Sequence, residues 1–119
     1  MKSIFVTIMM VMIFSVSNAQ HIGECRVRHS SIAVFDANGS YTCSIKLKSG
    51  AELSGYSRSI IVITEDSTAN VFNSKGEFLS SINLRNGAYV KNVVGETVLI
   101  KDDSMTNVFD SKGNFIVSN

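Results

Sequence analysis

VFDANG at residues 34–39 returns as VFNSKG at residues 71–76 and as VFDSKG at residues 108–113, each copy 37 residues beyond the last. No gap is needed to align them, and self-similarity at a fixed period marks a chain written from one supersecondary unit. Between residues 60–82 and 97–119, 11 of 23 positions are identical, among them Ile63/Ile100, Asp66/Asp103, Asn70/Asn107, Phe72/Phe109 and Gly76/Gly113. The first copy is more divergent but keeps Val34, Phe35, Gly39, Ile45, Leu47, Gly50 and Ala51. The repeats run over residues 22–58, 59–95 and 96–119, the last cut short in its third strand.

The middle copy shows the unit most clearly. Residues 59–64, SIIVIT, form a short β-branched apolar run, as expected of a strand covered on both faces. Glu65-Asp66-Ser67 predicts a polar turn, and residues 70–72 a second strand. Gly76 stands where a short hairpin needs a left-handed backbone. From Glu77 to Leu84 the pattern alternates, with Phe78, Ser80, Ile82 and Leu84 on one face, and Asn86-Gly87 predicts another hairpin before a fourth strand over residues 88–94. Each repeat reads as a four-stranded antiparallel meander with no room for a helix, so the chain is all-β.

The short apolar strand, acidic turn and VFDSKGNFI phrase resemble the blade hairpin of β-propellers, the NHL type included, in which VFD-x-x-G-x-F recurs. The resemblance covers residues 22–119 and implies blade-like units. Three repeats are too few for a closed ring, since propellers have at least about four blades. The expected fold is therefore three propeller-blade-like meanders; a β-trefoil or three-sheet prism, or a small barrel, would use the same strands. An incomplete array leaves strand edges exposed, which favours self-association.

Residues 1–19 read as a secretory signal peptide: Lys2, an apolar run from Ile4 to Phe14, and small residues at Ser17 and Ala19. The run is shorter than the ~20 residues of a membrane span. The expected mature domain is residues 20–119, periplasmic or extracellular. Without Lys2 the 11 basic residues fall to 10 and balance the 10 acidic ones. A neutral chain is poorly suited to nucleic acid, whose binding rests on neutralised phosphates. The charge is graded along the chain, with five basic and three acidic residues in 20–58, three of each in 59–95, and two against four in 96–119.

Cys25 and Cys43 in an exported chain predict a disulfide. In a flat meander a strand lies between them, placing their Cα atoms about 9.6 Å apart at ~4.8 Å per strand, beyond the ~6.8 Å a disulfide allows. The bridge therefore requires residues 22–28 to leave the regular position and cross to the third strand. The alternative reading, metal ligation by His21, Cys25 and His29, fails on a strand, where four residues span about 13 Å. No metal site or cofactor is expected.

Catalytic patterns are thin. There is no G-x-S-x-G elbow, no phosphate-binding glycine loop and no CxxC; His21 and His29 are the only imidazoles. The acidic pairs Glu65-Asp66 and Asp102-Asp103 are read as turns rather than calcium ligands, for which a third donor is not evident. Asn38-Gly39-Ser40 has the form of a glycosylation sequon on a hairpin turn. One feature is confined to the first repeat: Arg26 and Arg28 alternate with Cys25 and Val27, and Lys46 and Lys48 with Ile45 and Leu47. Bridged strands would gather these four cations on one face as a partner-binding patch.

The expected role is a small exported, non-enzymatic binding module that recognises another protein, on the scale of inhibitors and immunity proteins. Carbohydrate binding is the alternative, with Tyr41, Tyr56 and Tyr89 as the polar aromatics available to stack on sugars, and structural self-assembly is a third class.

Overall fold

The computed structural model describes residues 21–119, so the signal-peptide reading of residues 1–19 lies outside the described residues. Eleven strands follow one another there: β1 (Ile22–Arg28), β2 (Ser31–Asp36), β3 (Tyr41–Lys46), β4 (Glu52–Tyr56), β5 (Ile60–Glu65), β6 (Thr68–Asn73), β7 (Phe78–Asn83), β8 (Tyr89–Val94), β9 (Thr97–Asp102), β10 (Met105–Asp110) and β11 (Phe115–Ser118). All pair antiparallel, in three sheets with the spatial orders β1-β2-β3, β4-β5-β6-β7 and β8-β9-β10-β11. The described chain is all-β.

The six-residue phrase acts through local chemistry. Its third residue is an acceptor that closes the turn. Asp36 Oδ1 accepts the backbone N–H groups of Asn38 and Ser40 at 2.9 and 3.0 Å. Asn73 Oδ1 does the same for Lys75 and Glu77 at 2.9 and 3.0 Å, and Asp110 Oδ1 for Lys112 and Asn114, both at 2.9 Å. The last residue, Gly39, Gly76 or Gly113, holds φ near +83°, +80° or +82°, a region closed to most side chains. Register slips at the same place in all three hairpins, just after Val34, Val71 and Val108, and sets the motif phenylalanine opposite a second aromatic ring. The other hairpins turn on His29, Asp66 and Asp103, with φ of 50°, 54° and 57°; Asp and His tolerate this conformation better than bulky residues. That position in a turn is what the acidic pairs supply.

Stacking buries the strands. Cys25, Ile32, Val34 and Ile45 of the first sheet pack on Ile61, Ile63 and Phe72 of the second. From its opposite face the second sheet presents Val62, Ala69, Val71 and Ile82 to Val93, Val98, Ile100 and Phe109 of the third. This explains why residues 60–63, IIVI, are apolar throughout: both faces of the strand are covered there. The sheets stand in series with two separate cores, not around the single shared core of a β-trefoil or prism. Strand β4 of the second sheet lies against β8 of the third.

Two expectations are corrected. The fourth strand of each repeat does not complete its own meander: β4 and β8 begin the next sheet. The Asn86-Gly87 turn, closed by Ala88 N–H donating to the Arg85 carbonyl at 2.8 Å, therefore links two sheets and is not a hairpin. The reason is burial. Leu53 on β4 and Val90 on β8 find apolar cover in the cores between sheets, a long-range gain that a local turn signal does not report.

The second correction concerns β1, which does not cross to β3. Cys25 and Cys43 both pair with Val34, one on either side of β2. A whole strand separates them, and both are free thiols. Regular pairing of β1 satisfies its backbone groups and buries Ile22 and Cys25, which displacement onto β3 would forfeit.

Candidate functional site

Register decides what became of the four cations. Arg26 pairs with Ala33, while Arg28 and Lys46 both pair with Ser31, so these three share the outer, back face of the first sheet without any disulfide. Arg26 is already engaged. Its Nε donates to Glu24 Oε2 at 2.9 Å, and its guanidinium carbon lies 5.0 Å from the Phe35 ring centre. The hydrogen bond from Arg26 holds the Glu24 carboxyl below its usual range. Lys48 lies beyond the end of β3, and together with Lys46 it borders a groove between the first two sheets. The patch is thus split between a neutralised Arg26, Arg28 and Lys46 beside Ser31, and a groove that Lys46 and Lys48 both line.

The two ends of the stack differ. Glu24 and Arg26 stand at the positions that Ile61 and Ile63 fill in the second sheet, 37 residues on. There the isoleucines are buried; in the first sheet the ion pair covers Phe35 instead. At the far end, the forward face of the third sheet carries Leu99 and Val108, partly buried, and Val117, exposed. Val62 and Val71, the equivalents of Leu99 and Val108, are 0% exposed beneath a neighbouring sheet.

A series of aromatic side chains runs along the last strands. Tyr41 on β3, Phe78 on β7 and Phe115 on β11 are 61%, 59% and 57% exposed, and they recur at the 37-residue offset. Each meets the motif phenylalanine of its own hairpin edge to face. Ring centres are 6.1 Å apart for Phe35–Tyr41 and 5.8 Å for both Phe72–Phe78 and Phe109–Phe115. Sequence reasoning missed this series by sorting Tyr41 with the other tyrosines; the repeat offset was the signal that finds it.

Behind Phe78 and Phe115 lie two grooves, one on each inter-sheet seam, with volumes of about 420 and 540 Å³. Most of their wall positions correspond at the 37-residue offset. Lys48 and Glu65 in one become Arg85 and Asp102 in the other, and Asn70 becomes Asn107. Arg85 Nε lies 3.8 Å from Asp102 Oδ2. Each asparagine is oriented by a serine: Ser81 Oγ donates to Asn70 Oδ1 at 2.6 Å and Ser118 Oγ to Asn107 Oδ1 at 2.7 Å. The amide nitrogens remain as donors. A larger opening of about 830 Å³ lies among the loops around Glu52, Asp66 and Arg85.

His21 and His29 are exposed at the two ends of β1, while Cys25 faces the core. Among the described residues no group of histidine, cysteine and carboxylate side chains is placed to hold a metal ion. Burial pushes the Cys25 thiol up to about 12, with Cys43 adding to the effect.

No protein-family model matches this chain, and no curated protein matches it. It is similar in fold to a solved structure from Bacteroides caccae described as a protein of unknown function. The likeness has a TM-score of 0.55 and 15% sequence identity over 84% of this chain, which spans 40% of that chain's length.

Proposed function

We propose that this chain is a small exported, non-enzymatic interaction module whose sheets are blade-like units stacked as an open array, and that it recognises another protein. The forward face of the third sheet carries the reading. The counterparts of Leu99 and Val108 in the first two sheets, Cys25, Val34, Val62 and Val71, are buried under the next sheet, whereas Leu99 and Val108 are only partly covered and Val117 beside them is exposed. A row of aliphatic side chains on a four-stranded sheet suits sheet-on-sheet packing against a protein surface. Repeat arrays need polar outer faces at their ends; here the Glu24–Arg26 pair supplies one end alone. That polar cap disfavours head-to-tail growth, because the ion pair would be buried against aliphatic side chains. The propeller likeness of the motif and an inhibitor- or immunity-like role belong to the same proposal.

A photo-crosslinking residue at Val117, with exposed Lys75 in the β6–β7 turn as control position, tests it. A discrete heterologous adduct at Val117, absent at Lys75 and lost on Leu99→Lys, supports the proposal. An adduct to a second copy, or none above control, overturns it.

A further inference from the structure

We propose that the rim formed by Tyr41, Phe78 and Phe115, with the grooves behind the two phenylalanines, binds a neutral polysaccharide. This site is independent of the open face of the third sheet.

Three observations converge on it. The exposed rings stand one per sheet on β3, β7 and β11, the last strand of each sheet. Each is held edge to face by a phenylalanine of its own hairpin, so its free face is ordered before any ligand arrives. Cross-strand aromatic pairing stabilises a hairpin, but that role does not require the outer ring to be more than half exposed in every repeat.

The sheets are also locked in step. A Cβ at Gly76 would lie 3.0 Å from Cys43 Sγ, and one at Gly113 would lie 3.3 Å from Ser80 Oγ. Ser80 Oγ donates to the Ser111 carbonyl at 2.9 Å. Each turn thus seats on the edge strand of the preceding sheet and fixes the spacing of the rings. Stacked sheets lie about 10 Å apart, a disaccharide-scale separation, so successive rings suit alternate sugar units of an extended chain.

The grooves define the ligand chemistry. Each offers a cation, a carboxylate and an asparagine amide beside an exposed phenylalanine face. Hydroxyl groups use all three polar partners, while the axial C–H face of a pyranose suits the electron-rich face of the ring. Charge disfavours a uniformly ionic polymer. The first groove has Lys46 and Lys48 against Glu65, and the second has Arg85 against Asp102 and Asp103. One is net positive and the other net negative, so a uniformly charged chain crossing both is repelled by one of them, and a neutral chain is not. The pairing of grooves with rungs makes the site multivalent, which lets weak contacts add along a polymer.

Affinity electrophoresis of the mature chain in native gels containing xylan, mixed-linkage β-glucan, galactomannan or dextran, with polygalacturonate as the charged control, tests the proposal. At least one neutral polymer should retard the protein and polygalacturonate should not. Phe78→Ala or Phe115→Ala should each weaken that retardation at least about tenfold, through lost multivalency. If an alanine variant has a collapsed thermal transition, Phe78→Leu and Phe115→Leu keep apolar bulk against Phe72 and Phe109 while removing the ring face, and should show the same loss. The proposal is overturned if no neutral polymer retards the protein. Retardation of the folded leucine variants equal to wild type, or stronger retardation by polygalacturonate, also overturns it.

Discussion

The valine that opens each copy of the motif provides three substitutions that are alike in chemistry and unequal in cost. Val34 and Val71 are 1% and 0% exposed under the next sheet, whereas Val108 is only partly buried on the open face. Valine to alanine removes two carbons, about 1.6 kcal/mol at ~0.8 kcal/mol per buried methylene. An unrelaxed void of roughly 50 Å³ adds about 1.2 kcal/mol at ~24 cal/mol per Å³. Val34→Ala and Val71→Ala should therefore each cost about 1.5–3 kcal/mol. Val108→Ala opens no closed cavity and should cost about 0.5 kcal/mol or less. The loss of β-propensity is common to all three and leaves the ranking intact.

Urea unfolding followed by circular dichroism measures these costs as midpoint shifts at a shared slope. At a slope of about 1–1.5 kcal/mol per molar, the two buried sites should move the midpoint by roughly 1 M or more. An equal cost at Val108 and Val71 in dilute protein would falsify the open face, since it would mean that something covers it. Equally small costs at all three sites would instead sink the stacking itself.

Two further tests address particular side chains. The Asp110 carboxyl is held below its ordinary value, chiefly by the backbone N–H of Asn114 and then of Lys112. A depressed folded-state value contributes stability above the unfolded value, and that stability is lost as pH falls through the folded one. Asp110→Asn, which keeps the acceptor as Asn73 does, should flatten the acid limb of melting temperature against pH, and limbs of equal slope would refute the assignment. Protein prepared without reductant should yield two titratable thiols after denaturation, and alkylation of the folded chain should modify half-buried Cys43 before buried Cys25. A Cys25–Cys43 cross-linked peptide in a non-reducing digest would contradict the strand order.

How far the sequence carried depends on how local each interaction is. The Asp36, Asn73 and Asp110 turns bond within four residues of themselves, so the phrase that repeats is also the phrase that folds. The polar GECRVR segment, set against IIVIT, likewise marked the first sheet as atypical, and the Glu24–Arg26 pair gives that difference a physical form. Only part of the cationic patch was legible. Alternation placed Arg26, Arg28 and Lys46 on one face, but Lys46 and Lys48 also line a groove whose other wall is supplied by a different sheet. The aromatic rim was present in the sequence at positions 41, 78 and 115; its exposure was not, because exposure depends on what the rest of the chain covers.

By itself, then, the sequence determined an all-β chain, the repeating hairpin, its turns and the polar character of its first strand. These rest on hydrogen bonds and φ preferences among near neighbours. Tertiary structure alone decided that β4 and β8 open the following sheets, that Cys25 and Cys43 stand apart across β2, and that one end of the stack is capped while the other is open. Those outcomes follow from apolar burial between distant segments. Burial is non-directional, so the identity of an apolar residue says that it will be covered and not by which strand.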